Sequence, residues 1–252
     1  MWAVAAIHGD ARRLAALHAQ LAELLVSGDR LVYLGDYLGY GPDAAAVIDQ
    51  MVEFRRAVLA ERNAFLGDFV VLRGSQEEMW HKLLELQFAP NPREVLPWML
   101  EHGVAATLAA YGIDSRAGLA ACREGVSAIT RWTGTVRAAV DARPGHRQLL
   151  SALRRAAFTD EGGVLFVNAG IDSNKPLELQ RDVFWWGGPR DILGLAAPFA
   201  GFRRVVCGYH RKRAGLVETD HAVSLDAGCG LGGTLNAACF APDGSLVERI
   251  EA

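Results

Sequence analysis

Gly35-Asp36-Tyr37-Leu38-Gly39-Tyr40-Gly41-Pro42 is the stretch whose reading decides the fold. The run before it, Asp29 to Leu34, is apolar and β-prone, which predicts a buried strand. A carboxylate leaving the C-terminal end of such a strand stands where open α/β sheets build their ligand crevice. Glycines at 35, 39 and 41 allow a sharp turn and a close backbone approach to a ligand. On its own the stretch also reads as a strand-to-helix turn with Asp36 as a helix cap. The surrounding chain separates the two readings.

Working toward the N-terminus, residues 2 to 7 form a short apolar strand, with His8-Gly9-Asp10 as the turn out of it. Ala11 to Val26 places Leu14, Leu17, Leu21 and Leu24 at helical spacing on one face. Asp10 is an N-cap candidate for that helix and Asp43 for the next, Ala44 to about Leu59. Phe69 to Leu72 is a third strand, ending in Arg73-Gly74-Ser75-Gln76-Glu77-Glu78. This repeated strand-turn-helix rhythm predicts a layered α/β fold.

From Gln76 to about Ala157 the sequence turns to alanine- and leucine-rich helical segments broken by prolines and glycines. This is an α-helical insertion, the first place to look for a partner surface. Strands resume at Val164 to Asn168, Arg203 to Cys207, Ala222 to Asp226 and Thr234 to Phe240, followed by a hairpin through Pro242-Asp243-Gly244. The expectation is one domain over 1–252.

Composition narrows the class. The chain has 252 residues, 51% hydrophobic and 22% charged, with a net charge of -3. That balance is globular and carries no electrostatic footprint for nucleic acid. Cys122, Cys207, Cys229 and Cys239 stand far apart, which argues against a disulfide framework or zinc ribbon and for a reducing cytoplasm. No apolar run approaches the roughly 20 residues of a membrane span. The N-terminus has no basic region, so it reads as a strand and not a signal peptide.

Five turns now stand in order: Ile7-His8-Gly9, Gly35-Asp36, Arg73-Gly74-Ser75-Gln76-Glu77, Asn168-Ala169-Gly170 and Gly208-Tyr209-His210. Together they resemble the calcineurin-like metallophosphoesterases, in particular the bacterial serine/threonine protein phosphatase-like branch. That family reads D-x-H-G, G-D-x-x-D-R-G-P, R-G-N-H-E, H-A-G and G-H-T. The resemblance extends to Glu77-Glu78-Met79, to Pro97-Trp98 with Tyr111-Gly112, and to Asp226-Ala227-Gly228 with Gly232-Gly233. It implies two mixed β-sheets flanked by helices, with a site on the turns holding two divalent metals and a phosphate.

The residues this resemblance brings to the site are largely not the family's. Ala6 stands at the first metal-binding aspartate, while His8 and Asp36 match. Ser75 replaces the asparagine ligand and Gln76 the histidine that protonates the leaving group. Asn168 and Tyr209 replace further ligand histidines, and Tyr40 and Gly39 the phosphate-contacting arginine and the acid before it. Arg73 is kept, and a further family arginine falls near Gly187, behind Trp185 and Trp186.

A binuclear cluster needs several ligands converging on two cations, and a glutamine cannot serve as a general acid. A normal two-metal centre is therefore not expected. No metal, or one weakly held Mn, Fe or Zn at His8 and Asp36, is. His210, one residue beyond the lost histidine, reads as an exposed loop residue beside Arg211-Lys212-Arg213, with a swing into the site as the alternative.

The expected function is a pseudophosphatase that binds a protein partner or small ligand. The alternative is an attenuated phosphohydrolase using a single metal. A nucleotide-binding reading of Gly228 to Gly233 fails because a strand, not a helix, is expected after the glycines.

Overall fold

The structure is a computed structural model, and it describes residues 1–61, 65–160 and 162–252. Strand β1 (Trp2–Val4) is followed by helix α1 (Ala11–Leu24), β2 (Leu31–Tyr33), α2 (Ala44–Glu61) and β3 (Phe69–Val71). Six helices follow: α3 (Ser75–Leu84), α4 (Pro92–Met99), α5 (Ala105–Ala110), α6 (Ser115–Glu124), α7 (Val126–Asp141) and α8 (His146–Ser151). A kink at His102 and Gly103, where the backbone leaves the helical conformation, lies between α4 and α5. The chain then runs through β4 (Ala157–Phe158), β5 (Val164–Val167), α9 (Val183–Trp186), β6 (Arg204–Cys207), β7 (Val217–Glu218) and β8 (Ala222–Ser224). It closes with the β9 (Asn236–Phe240) and β10 (Leu246–Glu251) hairpin.

The strands form two five-stranded mixed sheets, ordered β10-β9-β1-β2-β3 and β4-β5-β6-β8-β7. In the first, β1, β2 and β3 are parallel and β9 antiparallel. In the second, β5, β6 and β8 are parallel, with β4 and β7 antiparallel at the edges. The layered α/β fold expected from the strand-turn-helix rhythm is the one observed.

Strand alternation explains how the layers stack. Val164 and Phe166 point into the main core, where Phe166 meets Phe240 edge-on at 5.9 Å. Leu165 and Val167 point the other way, beneath Phe184 and Trp185. Because both faces of β5 are covered, all its residues are buried and its sequence is uniformly apolar. On the first sheet, α1 presents Leu14, Leu17 and Leu21, each fully buried, and each contributes about 1.5–3 kcal/mol of transfer free energy. Asp10 caps α1, its carboxylate accepting the Arg13 N–H at 3.0 Å. It is thereby committed to the helix and does not stand in for the missing aspartate.

The helical segment joins the same core through Leu83, Leu96, Leu108, Trp132 and Val136. A buried polar chain ties it to α2: Tyr111 Oη meets His146 Nδ1 at 2.7 Å, and His146 Nε2 meets Asp49 at 2.8 Å. Helix α8 stops at Ser151, and the Arg154 backbone pairs with Leu72 and Arg73, closing the segment back onto β3. Among the described residues, no helix is long and apolar enough to cross a membrane.

Candidate functional site

The parallel strands of both sheets deliver their following turns to one end of the molecule. The two sets are joined directly: Ala6 N–H donates to the Gly208 carbonyl at 3.0 Å, and Asn168 Nδ2 to the Leu34 carbonyl at 2.8 Å. His8 and Asp36 both have positive φ, 50° and 56°, a conformation that non-glycine residues adopt rarely and that clusters at functional sites. Their backbones are linked, His8 N–H donating to the Asp36 carbonyl at 2.8 Å.

Asp36 is completely buried, and both oxygens of its carboxylate accept hydrogen bonds. Oδ1 accepts from Ser75 Oγ at 3.0 Å and from the Gln76 N–H at 2.8 Å. Oδ2 accepts from Asn168 Nδ2 at 3.1 Å. A buried carboxylate needs either cations or hydrogen-bond donors to hold its charge. Here it has donors, supplied by Ser75, Gln76 and Asn168.

Gln76 is held in turn. Its Nε2 donates to the His102 carbonyl at 3.0 Å, and its Oε1 is buried without a partner. Gly39 and Gly103 wall the amide in: a Cβ on Gly39 would lie 2.4 Å from Gln76 Oε1, and one on Gly103 2.7 Å. The kink at His102 and Gly103, which the helical pattern did not reveal, presents Gly103 and the His102 carbonyl here. The other amide, Asn168, likewise keeps a buried Oδ1 with no partner.

His8 sits between Tyr40 and Tyr209, edge-on at 5.3 and 6.1 Å between ring centroids. Both of its ring nitrogens are buried and without a hydrogen-bond partner. Thus Tyr40 and Tyr209, at the phosphate-arginine and ligand-histidine positions, wall the pocket with aromatic rings. Arg73 is turned away, paired with Glu78 at 2.9 Å and lying over Trp185 at 5.8 Å. Of the paired tryptophans Trp185 is core, whereas Trp186 is exposed and faces Trp98 at 6.5 Å.

His210 is neither exposed nor swung into the pocket. It is buried, its Nε2 meets Asp191 Oδ1 at 2.9 Å, and its N–H donates to Asp226 at 2.8 Å. That hydrogen bond holds the Asp191 carboxyl below its ordinary range. The partner lies 19 residues upstream, out of reach of any local sequence pattern.

Two carboxylates to which the sequence assigned no role of their own, Glu77 in the third motif turn and Asp226, accept several backbone hydrogen bonds at the site. Glu77 is buried and accepts from the N–H groups of Asp36, Tyr37, Leu38 and Gly74, at 2.8 to 3.1 Å. Burial, with Asp36 beside it, raises its pKa to about 7. Asp226 accepts from the N–H groups of His210 and Gly228, and burial raises its pKa as well. The spacing Gly74-x-x-Glu77 is the capping-box interval and could have flagged Glu77.

The donor set does not fit the two-metal centre that the resemblance implies. Among the described residues, no group of three or more His, Cys, Asp or Glu side chains could hold a metal ion. Ser75 and Asn168 spend their donors on Asp36, and neutral oxygens alone hold a divalent cation poorly. What the arrangement leaves is a buried polar cluster in which Gln76 Oε1, Asn168 Oδ1 and both His8 ring nitrogens have no partner.

No protein-family profile and no curated relative matches the chain. Solved structures do. A protein provisionally described as a diadenosine tetraphosphatase is similar with a TM-score of 0.57 at 19% identity, covering 99% of this chain and 92% of that one. A cold-active protein tyrosine phosphatase is similar with a TM-score of 0.55 at 12% identity, covering 99% and 77%. Another structure of such an enzyme, from a psychrophilic Shewanella, gives 0.53 at 12%, covering 99% and 79%. At these identities the likeness concerns the fold, and the fold of this chain is the layered α/β fold of phosphoesterases.

Proposed function

We propose that the protein is a pseudophosphatase of the bacterial serine/threonine phosphatase-like branch, a binding, regulatory or scaffolding protein built on a hydrolase fold. One observation carries this reading. The Asp36 carboxylate, which in the family bridges cations, is saturated by Ser75, Gln76 and Asn168. Its charge is met by fixed dipoles, so Asp36 is held without a metal. Gln76 supplies no proton to a leaving group, a role worth about 10²–10⁴ in rate. A small ligand or partner meets the site at Tyr40 and Tyr209, the half-buried rings that flank His8.

The attenuated-hydrolase reading is favoured by one fact, the unpartnered ring nitrogens of His8 beside Asp36. Hydrolysis of an aryl phosphate with manganese present separates the two. The pseudophosphatase gives the same background rate as its His8→Ala, Asp36→Ala double variant. A wild-type rate well above the variant's establishes the single-metal enzyme instead.

A further inference from the structure

Away from the pocket just described, α3, α7 and α8 enclose a cavity of about 420 Å³, within the size range of small-molecule sites. Trp80, Leu84, Val140, Leu150 and Leu153 supply apolar wall. Arg73, Arg137 and Arg147 also line it, which is unusual for a cavity of this apolarity.

Glu77 and Asp141 line it too, and two of the three arginines have an acidic partner. Arg73 is paired with Glu78, Arg147 with Asp141, and the Glu77 carboxylate is taken by backbone N–H groups. Arg137 bonds only neutral oxygens, the Leu84 carbonyl and the Thr133 hydroxyl. A second donor is also unspent: the Trp80 indole N–H is buried with no acceptor. Such a group ordinarily finds a partner, and its absence here marks a place for one.

We propose that this cavity binds a small organic monoanion with an apolar body, of which an aryl carboxylate is the simplest example. The ring system lies among Trp80, Leu84, Val140 and Leu150, and the carboxylate takes the charge of Arg137 and the Trp80 N–H. Among the described residues Arg137 has no acidic partner, and with the Glu77 carboxylate in the same lining a single negative charge suits the site better than a phosphate dianion. The site lies within the helical segment, with Arg73 at the end of β3 as its link to the first sheet. This inference is independent of what the other pocket holds.

The probe is 2-naphthoate, titrated by calorimetry and followed by ligand-observed NMR. Wild type is expected to bind with a Kd below about 1 mM, and 2-naphthalenemethanol at least about tenfold more weakly. Arg137→Met should raise the Kd for 2-naphthoate at least about tenfold, and Leu150→Trp should abolish binding by filling the space. Asn168→Ala, in the other pocket, should bind 2-naphthoate as wild type does. Thermal unfolding identifies any variant that fails to fold. Should Leu150→Trp fail, Arg137→Met and Trp80→Phe decide the matter. Absence of binding to wild type overturns the proposal, as does binding indifferent to Arg137→Met or binding lost in Asn168→Ala.

Discussion

Asn168 Nδ2 donates to Asp36 Oδ2 at 3.1 Å, across the junction of the two sheets. An amide thus occupies a position from which the fold's active relatives, as the sequence resemblance has them, present a metal-binding histidine. The consequence is a carboxylate whose removal should hurt. In a metal site emptied of its cations, deleting a buried carboxylate relieves uncompensated charge. Here Asp36→Ala strands the Ser75 hydroxyl, the Gln76 N–H and the Asn168 amide. Chemical denaturation should show a loss of about 2–4 kcal/mol. A gain in stability would contradict the saturated-carboxylate account.

Glu77 sets a pH dependence. Its folded pKa is raised from 4.5 to about 7, first by burial and then by Asp36. The folded chain therefore binds this proton more tightly than the unfolded chain. Stability from this group is fully present below the unfolded value and is lost as pH rises through the folded one. Between these values, wild type should lose stability with rising pH relative to Glu77→Gln, measured by urea unfolding at each pH. Parallel profiles for the two proteins would show that the backbone N–H groups around Glu77 outweigh its burial.

Gly39 has φ +95° and faces Gln76 Oε1. Gly39→Ala should cost about 1–3 kcal/mol, part from the backbone and part from the clash. In Gly39→Ala, Gln76→Ala the clash is gone while the backbone strain stays. The double variant should then be more stable than the sum of the single effects predicts, and a double-mutant cycle reads the difference. Strict additivity would mean the amide is not wedged as described.

Gln76→His restores the family residue at the leaving-group position. It should produce no aryl phosphatase activity, because the acid acts on a substrate that no metal here activates. Metal-dependent turnover in this single variant would show that the remaining residues still assemble a centre.

Much of the fold was legible from short patterns. Leu14, Leu17 and Leu21 announced α1, Asp10 announced its cap, and the apolar runs before His8, Asp36, Arg73 and Asn168 announced the parallel strands. The two-residue edge strands Ala157–Phe158 and Val217–Glu218 were not, since so short a run has no period. The identities of the pocket residues were also legible, but not their partners. Sequence places His210 beside a basic run, whereas tertiary contact gives it Asp191. It shows Gln76 as a lost histidine, yet not that Gly39, Gly103 and the His102 carbonyl hold the amide in place. Pairings of this kind depend on how loops far apart in the chain meet, and local spacing does not encode them.

The central claim is that hydrogen-bond donors have replaced cations around Asp36. Calorimetric titration of the purified, chelator-treated protein with manganese and zinc tests it most directly. The account predicts no binding in the sub-millimolar range, with identical traces for wild type, His8→Ala and Asp36→Ala. Two ions bound per chain, lost in those variants, would contradict it.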